Sequence, residues 1–243
     1  MHVDLEMERD GLLFLSLTFN IMEKFALIVA GGSGSRMGGE RPKQFMELLG
    51  KPILMRTMEL FISYDSSVHL LVVLPDNQFD AWSALCMKYG FRLKHQLVPG
   101  GASRFQSVKN GLAELPDEGL VFIHDGVRPL VSFQTIKNCE RMALEKGNAL
   151  PVVPVVESLR QVEQEESCHA DRNQFRLVQT PQTFQNRLIK EAYRQPEIPA
   201  FTDDASVCEA MGVKINLVDG NPENIKITFP TDLRIAECLF NPA

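Results

Sequence analysis

From Lys24 onward, the sequence alternates short aliphatic runs with longer amphipathic segments. The first run, FALIV at residues 25–29, leads directly into the glycine-rich sequence GGSGS. This alternation is typical of βαβ units, in which parallel strands form a central sheet and helices cover its faces. The pattern therefore predicts an α/β protein with a mostly parallel sheet.

Hydrophobic periodicity predicts the positions of the individual elements. Strands are predicted at residues 25–29, 69–74, 93–98, 120–123, 149–156, 213–218 and 225–228. Helices are predicted at residues 52–63, 77–89, 103–115, 133–146, 185–194, 203–211 and 231–239. No linker, repeat or low-complexity segment interrupts the pattern, and 44% of the 243 residues are hydrophobic. Residues 22–243 are accordingly expected to form a single domain.

One segment inside this domain departs from the pattern. Residues 157–175, ESLRQVEQEESCHADRNQF, are polar and form too long a connection for a compact domain. The segment is either a mobile loop or an arm that contacts a partner. The sequence QTPQTF follows it, and Pro181 is expected to restrict this part of the chain to a turn or a sheet edge.

Residues 1–21 precede the first predicted strand and are expected to be an extension without a function. The apolar run GLLFLSLTF at residues 11–19 follows four acidic residues, whereas a signal peptide needs a positively charged segment there. The run is also too short to span a bilayer, so no association with a membrane is expected. Met22 stands directly before the first strand, which indicates a misplaced start.

The overall charge limits the kind of partner. A net charge of -6 argues against a nucleic-acid-binding protein, which usually carries a basic surface. The five cysteines are scattered and lack a C-x-x-C spacing, so the sequence predicts neither a zinc site nor a disulfide framework. We therefore expect a protein of the reducing cytoplasm, in which a bound anion lies in a local cationic pocket.

The glycine-rich sequence after the first strand is suited to phosphate. Glycines allow the backbone to turn sharply and to bring its N–H groups against a ligand. Arg36, Arg41 and Lys43 follow in the same segment, and Pro42 stiffens it. Met37 replaces the third glycine of a dinucleotide fingerprint, and the G-K-[ST] of a P-loop does not follow. A purely structural turn is the alternative.

Further motifs extend this first one. The sequence AGGSGSRM at residues 30–37 is followed by PKQF at residues 42–45. Then come, in order, GGASRFQSV, HDGVRP, DRN, QTPQTF, TDDAS and NIKITFPTDL. Over about residues 24–240, this series resembles the cytidylyltransferases that act on sugar-alcohol phosphates, most nearly the 2-C-methyl-D-erythritol 4-phosphate cytidylyltransferase family. The resemblance implies a Rossmann-like three-layer domain that transfers CMP from CTP to a phosphate monoester and releases pyrophosphate.

The resemblance also implies roles in CTP binding. Arg36 and Lys43 match the residues that hold the triphosphate and stabilise the transition state, and Asp125 matches one that helps to hold Mg²⁺ or another divalent cation. The implied CTP-binding residues are Ala30, Gly31, Gly32, Gly34, Gly100, Gly101, Arg104, Ser107, Asp125 and Arg128. Asp125 is alternatively an ordinary turn residue.

Three residues beside the second glycine pair leave the recognition of cytosine open. Ala102 stands where the family often has an acidic or polar residue. If that side chain reads the base, selectivity for CTP changes; if the backbone reads the base, selectivity is kept. Ser103 and Ser107 are alternatively residues of a helix N-terminus.

For the acceptor, Arg172 and Lys226 match the family's catalytic residues that position the methylerythritol phosphate. Ser158, Thr202 and Asp203 match its substrate-binding residues. Lys226 falls on a predicted apolar strand, where an unpaired charge is costly, and this favours a bound anion.

Two further features bear on the acceptor site. Asp203 or Asp204 is expected to bind substrate hydroxyls, or alternatively Thr202 and Asp203 start a helix. In the family the segment at about residues 157–175 is a β-arm that completes the site of a second subunit, so the resemblance implies a homodimer.

Other functions remain as alternatives. A ribitol-5-phosphate cytidylyltransferase shares the CTP half of the site and differs in the acceptor half. An NAD(P)-dependent Rossmann oxidoreductase and a non-catalytic nucleotide-binding domain belong to different classes. The cations of the glycine-rich segment argue against the oxidoreductase, and the presence of both anion sites argues against a domain without turnover.

Overall fold

The structure, a computed structural model, describes residues 22–31 and 42–240. Its strands are β1 (Lys24–Val29), β2 (Glu47–Leu48), β3 (Lys51–Pro52), β4 (His69–Leu74), β5 (Gln96–Pro99), β6 (Leu120–Asp125), β7 (Asn148–Pro154), β8 (Leu159–Glu163), β9 (Glu166–Ala170), β10 (Arg176–Val178), β11 (Gln182–Gln185) and β12 (Leu217–Asp219). Its helices are α1 (Ile53–Tyr64), α2 (Phe79–Lys88), α3 (Arg104–Ala113), α4 (Phe133–Lys146), α5 (Asn186–Ala192), α6 (Asp204–Glu209) and α7 (Pro230–Phe240).

The central sheet has the strand order β10-β7-β11-β6-β1-β4-β5, and β12 also pairs with β7. The pairs β1–β4, β1–β6, β4–β5 and β7–β12 are parallel. β10 and β11 run antiparallel to their neighbours. The prediction of a mostly parallel sheet is therefore confirmed. Because β1 lies in the middle of the parallel part, Ala30, the residue that follows it, lies at the centre of the carboxyl edge.

Helices cover both faces of this sheet. Side chains along β1 alternate between two cores: Ala26 and Ile28 pack with α1 and α4, whereas Leu27 packs with α3 and α5. α3 approaches β1 so closely that a Cβ at Gly111 would lie 2.3 Å from Leu27 Cδ1. A side chain at this position would therefore require the buried Leu27 side chain to move. The chain therefore forms three layers, and no helix among the described residues is long and apolar enough to cross a bilayer.

The predicted strand at 225–228 is wrong. Ile227 N donates to Val127 O at 3.0 Å, but no ladder forms along this segment. Ile227 is buried in a small core with Leu48 and Ile53, so its apolar character reflects packing rather than a strand. The expected cost of burying Lys226 on a strand is also wrong, because 43% of its side chain is exposed.

The segment after Pro181 also differs from the prediction. β11 begins directly after the proline and lies inside the sheet, between β6 and β7. Proline lacks a donor for a strand ladder, but at the position before the strand this donor is not required. The prediction that Pro181 restricts this part of the chain to a turn or a sheet edge is therefore wrong.

The polar segment at 157–175 forms a hairpin. β8 and β9 pair antiparallel through a tight turn at Gln164 and Glu165, and Gln164 has a φ of 53°. Most side chains of both strands are exposed. The hairpin forms a separate two-stranded sheet, which is not paired with the central sheet.

Candidate active site

Two clefts adjoin at the carboxyl edge of the sheet. The first, of about 270 Å³, lies beside Ala30, Lys43 and the start of α3. The second, of about 300 Å³, lies between the end of β6 and the segment before α6. Arg104, Asp125 and Lys226 line both clefts and form their shared wall. Open α/β sheets bind ligands at this edge, so the two clefts are the candidate active site.

Asp125, the last residue of β6, is buried between two cations. Its Oδ2 accepts a hydrogen bond from Arg128 Nε at 2.9 Å and lies 3.2 Å from Lys226 Nζ. Burial by itself would raise the pKa of Asp125, but the charges of Lys226, Arg128 and Arg104 outweigh it and hold this pKa well below its usual range. The carboxylate is therefore ionised at neutral pH and keeps both cations close to the clefts.

The side chain of His124, next to Asp125, is neutral and holds the end of β6 in place through hydrogen bonds. Burial lowers the pKa of His124 to about 4. His124 Nε2 donates to Arg128 O at 3.0 Å, because a carbonyl can only accept. His124 Nδ1 must then accept from the Thr180 hydroxyl at 2.9 Å, and that hydroxyl oxygen accepts from Asp125 N at 3.1 Å. This chain of hydrogen bonds fixes the end of β6 against the segment that precedes β11.

The turn between β5 and α3 forms another wall of the first cleft. Ser103 caps α3, with its Oγ accepting from Gln106 N at 3.0 Å, as the helix-start alternative predicted. Ser107 lies within α3, and its Oγ donates to Ser103 O at 2.8 Å and accepts from Gly101 N at 3.0 Å. Ser107 therefore holds the β5–α3 turn in place through these two hydrogen bonds.

A substitution at Gly101 tests how closely this turn packs against the start of α3. A Cβ at Gly101 would lie 2.2 Å from Gln106 Cγ and 3.0 Å from the Gln106 backbone carbon, so Gly101→Ala must displace the start of α3. We expect the free energy of unfolding to fall by about 1–3 kcal/mol. The KM for CTP, the nucleotide that the family resemblance implies, should rise at the same time, because Arg104 is the first residue of the displaced helix. Urea denaturation and initial rates measure the two effects, and unchanged values of both would contradict the tight turn.

Gln44 is a buried residue of the first cleft that the sequence analysis missed. Its Nε2 donates to Ala30 O at 2.7 Å and to Gln78 Oε1 at 3.0 Å. Gln44 therefore joins the turn that carries Lys43 to the residue that follows β1. A glutamine after a lysine gives no sequence signal of burial, and only the fold brings these segments together.

Asp203, the residue before α6, and Asp204, the first residue of α6, have different surroundings. Asp203 caps the helix: its Oδ1 accepts from Ser206 N at 2.9 Å, and its Oδ2 accepts from Gln182 Nε2 at 2.9 Å. Asp203 also lines the second cleft, as does Thr202. Asp204 is fully buried and pairs with Arg104. The helix-start alternative is thus observed for Asp203, and Asp204 orients an arginine.

The remaining residues from the sequence analysis lie in three places. Gly31, Gly101 and Ser107 line the first cleft, and Gly100 lies next to it in the β5–α3 turn. Arg128 lines the second cleft, where its NH1 donates to Asn224 O at 2.7 Å. The predicted residues Gly32, Gly34 and Arg36 lie outside the described residues.

Two predicted acceptor residues lie away from both clefts of this chain. Arg172 and Ser158 stand at the base of the β8–β9 hairpin and are exposed. Arg172 NH1 donates to Val156 O rather than to any group of the clefts. Thr202 and Lys226 are therefore brought together in the second cleft, whereas Arg172 and Ser158 are not.

The residues of the shared wall can supply one ligand to a divalent cation. Among the described residues, no group of three His, Cys, Asp or Glu side chains could enclose a metal ion. Mg²⁺ is commonly held by one or two carboxylates together with substrate phosphates. The ionised Asp125 at the strand end fits this kind of site, in which phosphates complete the coordination.

Comparison with known proteins identifies relatives along most of the chain. The family model of the 2-C-methyl-D-erythritol 4-phosphate cytidylyltransferases (IspD) matches residues 25–241. The chain is 53% identical over 218 residues to the protein of that name from Phocaeicola vulgatus, with 90% of this chain and 100% of the relative covered. It is 52% identical over 218 residues to the namesake from Bacteroides fragilis, with the same coverage.

A solved structure has the same fold. The crystal structure of a 4-diphosphocytidyl-2C-methyl-D-erythritol synthase superimposes with a TM-score of 0.75 at 26% sequence identity, covering 90% of this chain and 99% of that one. The sequence match and the fold match therefore agree over most of the chain. The chain belongs to the 2-C-methyl-D-erythritol 4-phosphate cytidylyltransferase family.

Proposed function

We propose that this chain transfers CMP from CTP to 2-C-methyl-D-erythritol 4-phosphate. The products are 4-diphosphocytidyl-2-C-methyl-D-erythritol and pyrophosphate, and the reaction belongs to non-mevalonate isoprenoid biosynthesis. The observation that supports this proposal is the shared wall of Arg104, Asp125 and Lys226 between two adjoining clefts, in a chain of this family. Two anionic substrates need neighbouring sites with cations between them.

The chemistry requires cations rather than a strong base. An oxygen of the acceptor phosphate attacks the α-phosphorus of CTP, a new P–O bond forms, and the bond to the β-phosphate breaks as pyrophosphate leaves. The attacking oxygen is already anionic at neutral pH, so no proton must be removed. The difficulty is to bring two polyanions together and to stabilise charge at the α-phosphorus, which fixed donors do well.

We assign CTP to the first cleft. Lys43 lines this cleft beside Ala30 and Gly31, and Arg36 belongs to the same glycine-rich segment of the sequence. Both cations hold the triphosphate and stabilise the transition state. A divalent cation bound by Asp125 and the phosphates would neutralise further charge and orient the leaving pyrophosphate.

We assign the acceptor to the second cleft. Thr202 and Asp203 line it, and Lys226 reaches it from the shared wall. Lys226 places a positive charge next to the position at which the two phosphates meet. Because Asp125 is ion-paired with it, the Lys226 ammonium is held in the shared wall.

The acceptor site is completed by a second subunit in our proposal. Arg172 and Ser158 lie at the base of an exposed hairpin, away from the clefts of their own chain. Large apolar side chains near the hairpin are also exposed, among them Val156, Phe175 and Leu177. A twofold homodimer that exchanges the hairpins would cover this surface and carry Arg172 to the partner's second cleft. The five cysteines of the chain are free, which fits a protein of the reducing cytoplasm, where we place this enzyme.

The experiment that tests this function is a matrix of nucleotides and acceptors with pyrophosphate release as the readout. CTP with 2-C-methyl-D-erythritol 4-phosphate should give the highest kcat/KM, and UTP, ATP and GTP should give much lower values. Turnover of ribitol 5-phosphate without turnover of the methylerythritol phosphate would overturn the acceptor. No release with any pair would overturn the transferase.

A further inference from the structure

Two buried residues hold the Arg104 side chain in the shared wall: Asp204 at the start of α6 and Tyr193 at the end of α5. Its NH1 and NH2 donate to Asp204 Oδ1 and Oδ2 at 2.8 and 2.6 Å. Tyr193 OH donates to the same Oδ1 at 2.6 Å. Asp204 is 0% exposed and Tyr193 is 2% exposed, so water does not compete for either group.

This arrangement fixes the plane of the guanidinium. A bidentate pair allows little rotation of the arginine head group, in contrast to a single hydrogen bond. The Tyr193 ring stacks on Phe105 with 4.6 Å between ring centroids, which in turn fixes the position of its hydroxyl. Asp204 and Tyr193 thus act as a rigid support behind Arg104.

Arg104 keeps donors for a ligand on its open side. A guanidinium carries five N–H groups, of which two are directed at Asp204. Within the part of the chain that the structure describes, the other three have no hydrogen-bond partner, and 32% of the side chain is exposed. These donors belong to a residue that lines both clefts.

Stability alone does not account for this buried ion pair. Removing two charges from water is costly, and well-packed apolar residues at such positions are often as stable or more stable. The pair also neutralises part of the positive charge in an anion-binding region. What it supplies is a fixed position for one guanidinium between two anion sites.

We propose that Asp204 and Tyr193 are positioning residues that set Arg104 to contact both the triphosphate of the nucleotide and the phosphate of the acceptor. This inference rests on the proposed function, and it extends the role of Arg104 from the nucleotide alone to both substrates. Weakening the support should therefore raise the KM for both substrates together. A residue that serves only the nucleotide would raise one of them.

Tyr193→Phe tests the support without touching either cleft, because the ring and its stacking on Phe105 are kept. We expect the KM for CTP and for the acceptor each to rise about threefold to fivefold, because only part of the loss of one hydrogen bond to the Asp204 carboxylate reaches Arg104. Tyr64→Phe is the matched control: Tyr64 OH donates to Glu140 Oε2 at 2.6 Å, in a part of the fold away from the clefts. The control should lose a similar amount of thermal stability and keep both KM values.

Asp204→Asn and a double-mutant cycle test whether Asp204 affects catalysis only through Arg104. Asp204→Asn alone should lower kcat/KM by about tenfold or more for each substrate. In an Arg104→Ala background the same change should cost less than about twofold, because Asp204 acts only through Arg104. Independent losses that multiply would overturn the inference, as would a Tyr193→Phe enzyme with the KM values of Tyr64→Phe.

A readout without turnover separates this inference from the proposed function. Calorimetric titration with CTP alone should show weaker binding for Tyr193→Phe than for Tyr64→Phe. If the unaltered chain releases no pyrophosphate, the proposed function fails, and CTP affinity in the two variants still decides the role of the support at the nucleotide. Equal affinities would overturn it.

Discussion

A Lys43→Ala enzyme should fold normally and turn over about a hundredfold or more slowly than the unaltered chain, as expected when a donor to the transition state is lost. Lys43 begins the 3₁₀ turn Lys43–Phe45 beside the first cleft. The next residue, Gln44, binds Ala30 O, so the turn has a fixed position relative to the end of β1. The fold therefore holds Lys43 beside the first cleft, to which we assign the triphosphate.

The measurement is kcat and KM for CTP, with a thermal melt to establish folding. Lys51→Ala is a suitable control, since Lys51 pairs with Glu59 at 2.6 Å on the partly exposed β3–α1 segment. Surface pairs of this kind contribute about 0–1 kcal/mol, so the control should keep its activity. A Lys43→Ala enzyme with a near-normal kcat would remove Lys43 from the mechanism.

Mixing two inactive variants should restore activity if the hairpin completes the partner's site. Arg172→Ala removes the group that the hairpin brings, and Lys43→Ala removes the group that the cleft supplies. A mixed dimer has one site with both changes and one site with neither. Equal amounts of the two variants, after subunit exchange, should recover about a quarter of the unaltered activity, because half of the dimers are mixed.

Two controls make this result specific. Lys43→Ala mixed with a Lys43→Ala/Arg172→Ala double variant should recover nothing. Arg160→Ala, which removes another hairpin arginine with an internal bond to Ser167 O at 2.6 Å, should leave the activity unchanged. The absence of recovery in the mixture of Lys43→Ala with Arg172→Ala, together with a demonstrated exchange of subunits, would argue against shared sites.

The sequence predicts those parts of the fold that depend on local signals. The helix predicted at 133–146 has the observed bounds of α4, because its apolar stripe is regular and Ser132 caps it by accepting from Thr135 N at 3.0 Å. Ala30 and Asp125 could be placed at the carboxyl edge, because each comes at the end of a buried aliphatic run. Periodicity alone suffices for such features.

The sequence does not predict features that depend on contacts between distant segments. β11 is only four residues long, and its place between β6 and β7 follows from pairing with strands far away along the chain. The supports of the site have the same origin: Asp204 meets Arg104 across 100 residues, and Thr180 meets His124 across 56. The positions of such partners follow from the folded chain.

The antiparallel direction of β11 has a consequence for where the chain enters the sheet. In a purely parallel sheet, every strand begins on the rim opposite the two clefts, and a chain returning from the β8–β9 hairpin would enter the sheet far from them. β11 begins on the side of the clefts instead, so the hydroxyl of Thr180, two residues before it, accepts a hydrogen bond from Asp125 N at the tip of β6. A displacement of the segment that returns from the hairpin would therefore act directly on the backbone of Asp125, whose carboxylate pairs with Arg128 and Lys226.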